Sequence, residues 1–149
     1  MTLSHSELTF DADIFVFETV MRVRQAEVGV SQHLSLEALT AQLTEARARF
    51  FFAKGIQDVE TSHQGLVVDH AQLSIKSIVR VRETLMFEVG VAQWCDNGGS
   101  IAIKVTRMLD GTLVAMAHQH LINYEYRLHK AVPLGHCTKE ALEGLTLPS

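Results

Sequence analysis

Only one stretch of this chain repeats its apolar residues at helical spacing, and that narrows the fold more than any other feature. Between Leu36 and Lys54, Leu36, Leu39, Leu43, Ala46 and Phe50 recur at the interval that aligns side chains on one helix face. Ser35 is placed to cap the start, its hydroxyl accepting a bond from a free amide of the first turn. Leu34 and Leu39 make a hydrophobic staple across that cap. Glu37 suits the positive end of the helix dipole, and Gly55 supplies the left-handed residue that ends the helix. Ala38, Ala41, Phe51 and Phe52 add apolar bulk off the main stripe, which a curved sheet wrapped around the helix would explain.

The rest of the chain reads as strand. Phe15 to Arg24 is rich in β-branched and aromatic residues, with Phe17, Thr19, Met21 and Val23 on one face. A second strand is expected from Gly65 to Val81, turning near Arg82-Glu83. Thr84 to Cys95 follows, with Leu85, Phe87, Val89 and Val91 facing together. Asp96-Asn97-Gly98-Gly99 reads as a turn, since Asn and Gly tolerate positive φ. Ser100 to Leu109 and Thr112 to Tyr126 form a last pair about Asp110-Gly111. A short terminal helix is expected from Lys139 to Leu145, capped by Thr138. Strands joined by tight turns run antiparallel, so the expectation is a two-layer α+β domain with one helix and about five strands.

The totals fit that architecture. The 149 residues suit one domain, and 47% hydrophobic with 20% charged residues is ordinary globular composition. A net charge of −4 without a basic stripe argues against nucleic-acid binding, and no apolar run is long enough to cross a membrane. Cys95 and Cys137 lie in no CxxC or CxxH pair, so neither a disulfide framework nor a thiolate zinc site is expected. Met1 to Asp13 lack the basic-then-apolar order of a signal peptide, and the expected location is the cytoplasm. His118 and His120 share a strand face, a metal-compatible spacing. Without a third placed ligand they read as a hydrogen-bonded pair, and neither a metal nor a cofactor is called for.

This order of elements, with a long helix after the first strand, resembles the hotdog fold, in which a curved antiparallel sheet wraps a central helix. The local sequence resembles the 4-hydroxybenzoyl-CoA thioesterase-like branch. Members end the first strand in Val-Arg, continue Asp-x-Asp-x-x-Gly-His-x-Asn, and carry Glu-Ala-Arg in the helix. Here Val23-Arg24 and Glu45-Ala46-Arg47 match without gaps between them. His33 falls on the family histidine, Ser35 on the asparagine, Glu27 on the first aspartate, Gly29 on the second and Gln32 on the glycine. The similarity continues through Gly65-Leu66-Val67-Val68 and the hairpin ending at Tyr126, to Pro133. The second aspartate is the usual catalytic carboxylate, and Gly29 cannot do its work.

Thioester hydrolysis needs a carboxylate to attack or to activate water, donors for the oxyanion, and a pocket that excludes bulk solvent. Glu27 is one replacement carboxylate, two residues before Gly29; the competing reading is a solvated loop glutamate. Glu37 is the other, since related hotdog thioesterases carry a carboxylate on the central helix; the competing reading is dipole stabilisation. His33 would bind the thioester carbonyl or orient water, or simply pack in its loop. Ser35 could contact substrate besides capping, Asp69 could reach the site across a dimer, and Trp94 reads as core or pocket lining. Arg80 and Arg82, with Arg127 and Lys130, could meet coenzyme A phosphates, against a default of scattered surface charge. The resemblance also implies a homodimer, assembling further into a homotetramer in many members, because edge pairing removes an open sheet edge. The reading is an acyl-CoA thioesterase with a displaced carboxylate. Its alternatives are a binding protein that has lost catalysis and a hotdog dehydratase or hydratase.

Overall fold

The structure, a computed structural model, describes residues 10, 12–56, 59–61, 63–135 and 140, with 59–61 as backbone only. A 3-10 turn at Ala12–Ile14 leads into β1 (Phe15–Arg22), a second turn at Gln25–Glu27, and the helix α1 (Leu36–Lys54). The strands β2 (Val59–Thr61), β3 (Gln64–Ile75), β4 (Thr84–Cys95), β5 (Gly98–Arg107), β6 (Leu113–Glu125) and β7 (Lys130–Ala131) follow. They form one antiparallel sheet in the order β1-β4-β5-β6-β3-β2, with β7 added to β6. Five of these strands are long, and they curl into the half-barrel expected from the sequence.

Helix α1 forms where its local signals put it. The Ser35 hydroxyl accepts the Ala38 amide at 3.1 Å, and Gly55 closes the helix at φ 71°, where a side chain would be strained. The buried face is Leu39, Gln42, Leu43, Ala46, Phe50 and Phe51. It meets Leu85, Phe87, Val89 and Val91 of β4, Ile101, Ile103 and Val105 of β5, and Ala115, Ala117 and Leu121 of β6 in one apolar cluster. Phe17 of β1 joins them, its ring 5.7 Å from that of Phe50. Leu34 and Leu39 both belong to this cluster, as the staple requires.

Several boundaries differ from expectation, each for a tertiary reason. Leu36 is exposed at the helix start, while Gln42 and Phe51 take places on the buried face. Phe52 is 90% exposed and Ala41 also faces outward, so the sheet covers only one side of the helix. β1 stops at Arg22 because Arg24 caps the following turn. β3 stops at Ile75 rather than Val81, because residues 76–83 are drawn off the sheet. Lys76 and Ser77 amides donate to the Val114 carbonyl, and the Arg107 guanidinium bonds both Glu83 and the Ile78 carbonyl. The β4–β5 turn is only Asp96-Asn97, with Cys95 paired to Gly98. Gly98 is required inside β5 instead, since a Cβ there would lie 2.0 Å from the Leu121 carbonyl oxygen. The β5–β6 connection is a longer loop in which Gly111 adopts φ 74° and the Asp110 carboxylate accepts the Thr112 amide. Bonds from the Thr112 side chain and amide hold the Asp110 carboxyl below the usual range. Cys137, Thr138 and all of the expected terminal helix except Glu140, which is helical, lie outside the described residues.

Candidate functional site

The segment between β1 and α1 builds the site. After Glu27 the chain makes a small excursion closed by a Val28–Leu34 bridge, with the Gly29 amide donating to His33 O and the Gln32 amide to Gly29 O. Gln32 adopts φ 65° at the end of that turn. The Ser35 amide then donates to the Glu27 carbonyl at 3.1 Å, tying the turn to the helix start. A second bridge joins His33 to Arg80, and the Leu34 amide donates to Val79 O at 2.7 Å. Glu27, His33, Ser35, Glu37 and Arg80 are thereby gathered around the beginning of α1.

Glu27 is the most firmly held of them. One carboxylate oxygen accepts the Arg24 amide at 2.8 Å and the Arg24 Nε at 3.3 Å. The other accepts the Gln42 side-chain amide at 2.9 Å. Its side chain is 11% exposed, and that surface opens on a cleft of about 750 Å³ between β1 and α1. Val20, Met21, Arg22 and Arg24 form one wall; Ala41, Gln42, Glu45 and Arg49 form the other. Arg49 braces the two, donating to Thr19 Oγ1 at 2.7 Å and to the Val20 carbonyl at 3.2 Å. A carboxylate fixed through both oxygens, by the Arg24 amide and guanidinium on one and the Gln42 amide on the other, and facing a cleft is placed to take a proton from a bound nucleophile.

The remaining candidates are differently placed. Glu37 is exposed in the first turn of α1. The Leu36 and Glu37 amides precede the first helical bonds, at the positive end of the helix dipole. His33 is half-buried, and the Ser35 hydroxyl is engaged by the cap. Arg80 and Arg82 side chains are exposed, with Arg82 at φ 73° and its amide bonded to Val23 O. Asp69 stands apart from this group. It is a bulged residue of β3, and its carboxylate lies 2.6 Å from His120 Nδ1. His118, two residues earlier on β6, stacks on Phe10 with ring centroids 5.8 Å apart. Burial, then the nearby His120 and His70, depress the His118 pKa. Among the described residues no group of three His, Cys, Asp or Glu side chains is arranged to hold a metal ion.

Gln42, Arg24 and Arg49 were not named as site residues from the sequence. Gln42 had a signal: it is the polar member of an otherwise apolar helix face. Arg24 stood in the Val-Arg motif three residues before Glu27; Arg49 had no signal, since its role depends on β1 lying against α1.

Comparison with known proteins bears on the fold. No family model and no curated protein matches the sequence. Solved structures do match. The 1,4-dihydroxy-2-naphthoyl-CoA thioesterase of Synechocystis superposes with a TM-score of 0.80 at 15% identity, covering 89% of this chain and 98% of its own. The DHNA-CoA thioesterase of Staphylococcus aureus gives 0.78 at 16% identity, covering 86% and 89%. Another Staphylococcus aureus protein, solved in complex with CoA, gives 0.78 at 10% identity, covering 91% and 87%. The chain therefore has the hotdog fold of thioesterase-superfamily structures.

Proposed function

We propose that this protein is an acyl-CoA thioesterase, acting in the cytoplasm, with Glu27 as the displaced catalytic carboxylate. The observation that carries this reading is the Glu27 carboxylate, pinned through both oxygens and facing the cleft between β1 and α1. Two of the similar structures are named as CoA thioesterases and a third holds CoA, which supports a CoA thioester as substrate. Glu27 takes a proton from water as the water oxygen attacks the thioester carbonyl carbon. The amides of Leu36 and Glu37 receive the developing oxyanion. The tetrahedral adduct then collapses, the C–S bond breaks, and the sulfur leaves with the proton that Glu27 carried. His33 orients the carbonyl, and Arg80 and Arg82 meet the phosphates of the nucleotide.

Thiol release from short, long and aromatic acyl-CoAs tests the reading, with Glu27→Gln, Glu37→Gln and His33→Ala beside the parent. Glu27→Gln is expected to lower turnover by about 100-fold or more, and Glu37→Gln to change it little. Abolition by Glu37→Gln alone would move the base to the helix. A second reading rests on Gly29, which is exposed and leaves the usual carboxylate position empty of side chain. A parent protein that binds acyl-CoA yet releases no thiol would establish a binding protein without catalysis.

We also infer a homodimer formed through β3. Among the described residues the strand pairs with β2 only at its first residues, and Leu66–Ile75 have no neighbour on that side. Exposed Val68 and Ile75 on the strand give it apolar area a partner would cover.

A further inference from the structure

Gln42 is 4% exposed and is the single polar residue on the buried face of α1. Its side-chain oxygen is buried and has no hydrogen-bond partner. A half-satisfied amide in an apolar face is a liability to the fold, because an apolar residue of the same shape would leave no acceptor stranded there. The other half of that amide does one thing: Nε2 donates to Glu27 at 2.9 Å. The orientation follows from charge, since a carboxylate accepts and the amide nitrogen must face it.

Without this bond Glu27 would be held only through its other oxygen, by Arg24, whose side chain is 78% exposed. Rotation about the glutamate's terminal bonds would then turn the carboxylate away from the cleft. With the bond, the second oxygen is fixed from the rigid middle of a 19-residue helix whose neighbouring side chains belong to the core. We propose that Gln42 is a positioning residue: it aims the Glu27 carboxylate into the cleft, and its stranded oxygen is the stability given up to do so. The inference rests on the reading of Glu27 as the base. It predicts a behaviour that a structural role does not, namely activity falling while stability holds.

The experiment pairs Gln42→Met, close in shape and without the amide, with Gln42→Asn, which keeps the amide one methylene short of Glu27. Thermal melting and steady-state thiol release are measured on both and on Glu27→Gln. In the Gln42 variants, kcat is expected to fall by about 10- to 100-fold with KM nearly unchanged, as misplacement of a reacting group predicts. The Gln42→Met protein is expected to melt at or above the parent temperature. Unchanged kcat in both Gln42 variants, with Glu27→Gln inactive, overturns the inference and leaves Glu27 as the base. Full turnover by Glu27→Gln removes the catalytic reading itself. Unfolding of both Gln42 variants also overturns the inference, by showing that the amide serves the fold.

Discussion

The sheet ends in two edges that are finished in different ways. At the β1 edge the helix comes to the strand: Arg49 reaches across to Thr19 and to the Val20 carbonyl, and Gln42 and Glu45 complete a polar cleft wall. At the β3 edge nothing comparable arrives among the described residues, and the strand shows exposed Val68 and Ile75. One edge is completed by the chain's own charged side chains, and the other is left, among the described residues, with its strand unpaired beyond its first positions. A strand edge left in that condition invites another strand. The contrast separates two tasks: the β1 side builds the cleft, and the β3 side is where the proposed dimer would form.

The largest effect should follow from spoiling the bare edge. Val68→Lys with Ile75→Lys places like charges where two copies would meet, and should weaken dimerisation on the order of 100-fold or more. Sedimentation at micromolar concentration reads this directly. A parent protein that is already monomeric there defeats the account of the β3 edge.

A smaller effect is expected at the other edge. Arg49→Leu removes the guanidinium bonds to Thr19 and Val20 but keeps the apolar stem, and should cost about 1 kcal/mol or less in urea unfolding. A loss several times larger would mean that this edge is held by Arg49 alone and not by packing.

The smallest effect belongs to the outer face of the sheet beside β3. Burial, then the charges of His120 and His70, hold the His118 imidazole below the ordinary value of about 6.5. The unfolded chain therefore binds the proton first as pH falls. Stability from this residue is complete above about 6.5 and declines as pH drops through the folded value. His118→Gln should flatten that part of the curve, measured by urea midpoints on either side of 6.5. An unchanged slope would show that His118 takes no part.

What could be read from the sequence was what neighbouring residues decide among themselves. Ser35 and Gly55 bracket α1 because caps act within one turn, and the alternating β4 residues found the core because strand periodicity is local. The segment 76–81 was misread as strand because its apolar residues suit one. Its departure depends on Arg107 and Val114, both distant in sequence. The site divides in the same way. Glu27, His33 and Ser35 stand on one short loop and could be gathered from the sequence. The bond from Gln42 crosses from loop to helix, and Asp69 was weighed as a site residue without sight of His120 beside it.

The loop of residues 76–83 has a consequence for time rather than for shape. Its backbone is laced to both ends of the segment that carries Glu27: Val23 to Glu83, Arg82 to Val23, and Leu34 to Val79. Amides joined in this way do not open one by one. The protection of those amides against solvent exchange, and the lifetime of a correctly set Glu27, are therefore governed by one opening event.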